Sequence, residues 1–166
     1  MCVGKTTVGK ALAKALGLTF YDLDWYVEER FHTKVSRIFA EEGEVRFRDL
    51  ERRMLHEVAE FENVVVACGG GTPCHFDNID YMNRTGNTFY LKASVETVLQ
   101  HLSMSRGERP LLKGKSPAEL RTFVEEQLAE REPYYEKAHN VIDVNVLDSF
   151  EKIGLVVNEI LTKLNT

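Results

Sequence analysis

Gly4-Lys5-Thr6-Thr7-Val8-Gly9-Lys10 opens the chain. Gly-Lys-Thr ahead of a helical pattern is the closing half of the phosphate-cradling sequence G-x-x-x-x-G-K-[ST]. In such a loop the lysine neutralises β- and γ-phosphate charge, and the next hydroxyl holds Mg²⁺. The amides of the first helical turn point at the phosphates. Val8, Ala11, Leu12, Ala15 and Leu16 recur at helical spacing, and Gly17 stops that helix. Counted back from Gly4, the first glycine of the pattern falls two residues before Met1. The chain is therefore expected to open inside the loop, without the strand that feeds it.

Outward from this stretch, strand and helix patterns alternate. Thr19-Phe20-Tyr21-Asp22-Leu23 reads as a short strand ending in carboxylates. Phe47, Leu50, Met54, Val58 and Phe61 step by three and four along a helix rich in Glu and Arg. Val64-Val65-Val66-Ala67 is a continuous apolar run, the mark of a strand covered on both faces, and it leads into Gly69-Gly70-Gly71. Thr88-Phe89-Tyr90-Leu91 and Asn140-Val141-Ile142-Asp143-Val144 read as two further strands. Ser94 caps a helix, and Ser116-Pro117-Ala118-Glu119 is a capping box with proline at the first helical position. Ile153, Val157, Ile160 and Leu164 form the stripe of a terminal helix. The alternation predicts an α/β fold, a parallel sheet flanked by helices. In such sheets ligands bind beyond the C-terminal strand ends. Gly4-Lys5-Thr6-Thr7, Asp22, Asp24 and the glycine triplet all fall there.

Each of these groups has a chemistry. Asp22 and Asp24, two residues apart at a strand end, suit one carboxylate near a metal and one taking a hydroxyl proton during phosphoryl transfer. They also suit helix capping. Three consecutive glycines leave bare amides that a ligand can approach closely. Arg48 and Glu51 share one helix face, and an arginine held by a carboxylate is a rigid fork for a second carboxylate. Arg106, Arg109, Lys113 and Lys115 sit in a Gly- and Pro-bearing loop, about residues 105–115, that reads as a lid over phosphates.

The 166 residues are expected to form one domain. A net charge of −5 argues against non-specific nucleic-acid binding. No apolar run approaches the ~20 residues of a membrane helix, and no signal-peptide core follows Met1. Cys2, Cys68 and Cys74 fit no zinc spacing and read as reduced thiols of a cytoplasmic protein. The histidines form no metal-spaced cluster.

Taken together, these motifs resemble the shikimate kinase family of small P-loop kinases, over nearly the whole chain. Gly4 to Lys10 resembles its phosphate loop and first helix, and Asp22-Leu23-Asp24 its D-x-D element. Phe47-Arg48-Asp49-Leu50-Glu51 is similar to its F-R-x-x-E helix. Gly69-Gly70-Gly71 is similar to its substrate glycines, and Arg109-Pro110-Leu111-Leu112 to its lid. Arg131-Glu132-Pro133-Tyr134-Tyr135, with Ala138 after it, resembles the stretch carrying a second substrate arginine. The resemblance implies a three-layer P-loop kinase fold whose first, central strand this chain lacks, with substrate-binding helices over about residues 24–61. It implies transfer of phosphate from ATP, with Mg²⁺, to the 3-hydroxyl of shikimate, by a monomer.

By position, the family's roles fall on Gly4, Lys5, Thr6 and Thr7 for the phosphates, and on Thr6 and Asp22 for the metal. Asp24 takes the substrate hydroxyls and is the base. Arg48, Arg131 and Gly69, Gly70 and Gly71 take shikimate, and Arg109 the transferring phosphate. Three features depart from the family pattern: the first strand and first loop glycine are absent, Cys2 stands where a second glycine is usual, and His101-Leu102-Ser103 replaces an adenine-side arginine. Two other readings remain open here. A gluconate kinase of the same architecture accounts for the loop and lid, but not for Arg48 with the glycine triplet and Arg131. A truncated fragment could bind without turnover.

Overall fold

The computed structural model describes residues 3–104, 116–145 and 150–165. In chain order the elements are α1 (Lys5–Leu16), β1 (Thr19–Asp22), α2 (Leu23–Phe31), α3 (Val35–Ala59) and β2 (Val64–Ala67). A single 3₁₀ turn (Thr72–Cys74) and α4 (Asn78–Thr85) follow, then β3 (Phe89–Lys92), α5 (Val95–Met104), α6 (Pro117–Tyr135), β4 (Asn140–Asp143) and α7 (Phe150–Leu164).

Local sequence explains most boundaries. Gly17 closes α1 in the left-handed region, at φ 67°, which a side chain would disfavour. Ser116 accepts from the amide of Glu119, whose carboxylate accepts from the amide of Ser116 in turn, as the capping box predicts. The Ser94 hydroxyl accepts from the amide of Thr97 at the start of α5. Helix α6 runs through Pro133 and ends at Tyr135.

Helix α3 differs from its expected form. Helical turns begin at Val35, and Gly43, at φ 81° and ψ 171°, breaks the run into two stretches. Phe47, Leu50, Met54 and Val58 are buried as the periodicity requires. Phe61 lies beyond the helix end, against the rings of Tyr21 and Tyr26. Helices α2 and α4 complete the set. α4 escaped the periodicity reading because Asn78, a polar residue, is fully buried on it.

The fold is α/β with parallel strands between helices. β1 pairs with β2 from Thr19↔Val64 to Asp22↔Ala67, and β3 with β4 from Phe89↔Asn140 to Lys92↔Asp143. Among the described residues no ladder joins the two pairs. An apolar cavity of about 590 Å³ lies between them, lined by Val64–Ala67, Phe89–Leu91, Val8 and Leu12 of α1, and Ile160 of α7.

Each pair has its own core. Val8, Leu12, Val98, Val124, Ile142 and Ile160 pack around β3 and β4. Leu23, Val27, Ile38, Phe47, Leu50 and Val58 pack beside β2. At about 1.5–3 kcal/mol for each fully buried aliphatic or aromatic side chain, the second cluster holds α2 and α3 rigidly over the ends of β1 and β2. Among the described residues no helix is long and apolar enough to cross a membrane.

Candidate active site

The parallel register brings the C-terminal ends of β1 and β2, Asp22 and Ala67, to one edge. The start of α1 meets that edge. Gly4 caps α1 at φ 79°, a left-handed conformation that glycine takes without a Cβ clash. No side chain caps α1 and no acid lies in its first turn, so its opening amides can face an anion.

Asp22 does two things at once. Its Oδ1 accepts from the amide of Trp25 at 3.4 Å as the cap of α2, and its Oδ2 accepts from the Thr6 hydroxyl at 2.9 Å. The capping reading of this residue holds. With its proton donated to Asp22, the Thr6 oxygen keeps lone pairs for a cation. A hydroxyl and a carboxylate are hard oxygen donors that suit Mg²⁺, which takes most of its ligands from phosphate and water. Among the described residues no cluster of three or more His, Cys, Asp or Glu could hold a metal by itself.

Asp24 stands exposed in the first turn of α2. A Cβ built on Gly69 would lie 3.3 Å from Asp24 Oδ1, 3.3 Å from Thr72 Oγ1 and 3.4 Å from Glu51 Oε1. The glycine thus lets three side chains converge. Desolvation, then the charges of Glu51 and Asp22, push the Asp24 carboxyl up to about 6, against the pull of Lys5 and Arg48. A solvent-reaching carboxylate with that affinity for a proton is suited to take one near neutral pH.

Arg48 is buried, and its donors are already arranged. Nη1 donates to Glu51 Oε2 at 2.8 Å, while Nε and Nη2 donate to Glu44 Oε1 at 3.2 and 3.0 Å. The rings of Phe47 and Phe39 stand 5.2 and 5.8 Å from the guanidinium. Glu51 is fully buried, and its other oxygen accepts from the Thr72 hydroxyl at 2.6 Å. Thr72 closes the glycine turn through its amide to Gly69 O at 3.1 Å, and its own carbonyl accepts from Asn78 Nδ2 at 2.8 Å. A Cβ on Gly71 would come within 2.6 Å of the Arg48 Cζ and Nη1, so a side chain there would push the guanidinium from its place.

Arg131 stands on α6, one turn before a residue that meets the glycine turn. One turn on, the Tyr135 hydroxyl donates to Gly70 O at 2.6 Å, and burial pushes that phenol up to about 12. The charges of Arg131 and Arg48 both act on Cys74 and on His75. Burial raises the Cys74 thiol and pushes the Cys68 thiol up to about 12, so neither is a ready nucleophile.

Of the residues singled out in the sequence, Lys5, Asp22 and Arg48 act electrostatically on Asp24, Thr6 bonds Asp22, Gly69 and Gly71 pack against Asp24 and Arg48, Gly70 accepts from Tyr135, and Arg131 acts with Arg48 on Cys74 and His75. Arg109 and the rest of 105–115 lie outside the described residues, as does Cys2. Glu44, Thr72, Asn78 and Tyr135 were missed as members of the site. Glu44 had a signal, since it stands one helical turn before Arg48. Thr72 and Asn78 had none, because only the turn brings them to Glu51. The large apolar cavity between β2 and β3 shares Lys5, Gly69, Gly70 and Tyr135 with this site.

Comparison with known proteins agrees with this arrangement. The family model described as shikimate kinase matches residues 1–165. A shikimate kinase of Parabacteroides distasonis is 56% identical over 143 residues, 86% of this chain and 83% of that protein. One of Phocaeicola vulgatus is 48% identical over 165 residues, 99% of this chain and 94% of that protein. The crystal structure of the Bacteroides thetaiotaomicron shikimate kinase superposes with a TM-score of 0.97 at 45% identity, covering 100% of this chain and 94% of that one. That of the Acinetobacter baumannii enzyme in complex with shikimate does so at 0.87 and 32%, covering 99% and 89%. With the phosphate-loop start, the two aspartates, the arginine–glutamate helix and the glycine turn drawn to one edge, and with such matches along its length, the chain belongs to the shikimate kinase family.

Proposed function

We propose that this chain transfers the γ-phosphoryl group of ATP to the 3-hydroxyl of shikimate. The observation that carries the reading is the convergence of Asp24, Arg48 and the Gly69–Gly71 turn beside Lys5 and Thr6. Lys5 and the opening amides of α1, from Gly4 to Thr7, hold the nucleotide phosphates. Arg48 and Arg131 hold the shikimate carboxylate, and the glycine turn lies against its ring. Asp24 binds the hydroxyls and accepts the proton of the 3-hydroxyl as its oxygen bonds to phosphorus and the bond to ADP breaks. Thr6 and Asp22 would hold Mg²⁺, which neutralises charge on the β- and γ-phosphates when bound. Arg109 is assigned to the transferring phosphate from its sequence alone.

The protein is proposed to act as a monomer in the cytoplasm. ADP release measured with shikimate and with gluconate tests the substrate. Release with shikimate alone is expected, and release with gluconate alone would overturn the reading. ATP binding without shikimate-dependent turnover would instead identify a binding-only protein.

A further inference from the structure

We propose that Glu44 competes with the substrate carboxylate for the Nε–Nη2 edge of Arg48, and so sets the affinity of the site for an acid. The proposal rests on the reading that Arg48 grips the shikimate carboxylate. A guanidinium offers five N–H donors, and its Nε and Nη2 protons form one of the edges that a carboxylate grips. Glu44 Oε1 takes both of those protons, at 3.2 and 3.0 Å. A substrate carboxylate using this edge asks for the same two.

The two glutamates on Arg48 are not equivalent. The Glu51 side chain is 0% exposed and is fixed at both oxygens, by Arg48 and Thr72. The Glu44 side chain is 57% exposed and holds Arg48 through one oxygen. Withdrawing Glu51 would strand a buried charge, whereas Glu44 moves into water at little cost. The backbone assists. Glu44 follows Gly43, whose φ of 81° and ψ of 171° break the helix immediately before it. His75 Nε2 faces the same oxygen at 3.8 Å from the glycine-turn side. Glu51 is therefore the fixed partner that orients Arg48, and Glu44 is the displaceable one.

The test is direct binding by isothermal titration, on wild type, Glu44→Gln and Glu44→Asp. The probes are shikimate and its carboxamide, which lacks the charge that Glu44 competes with. Glu44→Gln is expected to lower the shikimate Kd about two- to tenfold, the scale of a partly exposed charge pair. Glu44→Asp keeps the charge but draws it back by a methylene, and it is expected to lower Kd in the same direction. The carboxamide Kd should change little in either variant. A shikimate Kd that is unchanged or raised in both variants, or a carboxamide Kd that falls equally, overturns the proposal. Arg48→Lys serves as the control. If it leaves the shikimate Kd unaltered, the reading of Arg48 fails, and the proposal with it.

Discussion

Replacing Asp24 by asparagine should make the protein more stable and the enzyme slower. The carboxyl rises from an ordinary value of 3.8 to about 6, because the site desolvates it and Glu51 and Asp22 repel its charge. Taken at face value, that is a ceiling of about 3 kcal/mol against the ionised form. Asp24 keeps a solvent-exposed edge, so the effective cost is closer to ~1 kcal/mol. Asparagine has the shape of the neutral acid and escapes this cost. At pH 7 the variant should melt about 2–4 °C higher.

The sign of the pH dependence follows from linkage. Between 3.8 and about 6 the folded protein binds more protons at Asp24 than the unfolded chain does. Wild-type stability from this group therefore falls as pH rises through that window and is level above it. The advantage of Asp24→Asn should be full at pH 7 and fade towards pH 4. Turnover should drop about 10²–10⁴-fold if Asp24 is the base, and less if a loose transition state needs little base help. Melting curves at pH 4, 5.5 and 7, with shikimate-dependent ADP release, test both halves. A lower melting temperature at pH 7, or a gain undiminished at pH 4, would refute the electrostatic account.

Other outcomes follow from the same geometry. Arg48→Lys should raise the shikimate KM about 10- to 150-fold, equivalent to 1.5–3 kcal/mol for charge-assisted hydrogen bonds, with the ATP KM little changed. Steady-state kinetics in each substrate separates the two. Gly71→Ala drives a methyl into the Arg48 guanidinium and should cost shikimate affinity, measured by titration, more than ATP affinity. Glu51→Ala leaves Arg48 and Thr72 without their buried partner and should cost about 3–5 kcal/mol in denaturant unfolding.

Much of the fold was legible because its signals are local. Gly17 needs a left-handed backbone, and that need is visible in the chain itself. Ser116 and Glu119 cap each other within one turn. The stripe from Phe47 to Val58 buries as its spacing demands. Alternating strands and helices allow few topologies, so Asp22, Asp24 and the glycine turn had to share an edge. The break at Gly43 and the buried helix start at Asn78 were less legible. A glycine inside a helical pattern is tolerated or kinked according to what packs on it, and a buried asparagine hides apolar periodicity.

The sequence by itself determined the chemical inventory: a lysine and hydroxyl at a helix start, paired aspartates, two arginines and three glycines, each readable because its chemistry resides in its own side chain or backbone. Tertiary structure alone decided how they are held. Thr72 meets Glu51 across 21 residues, and Tyr135 meets Gly70 across 65. Those contacts depend on how β2, its glycine turn and α6 pack together, not on any local pattern. The division of Arg48 between a buried glutamate that stays and an exposed one that can leave is likewise a matter of burial, which no single residue carries in its name.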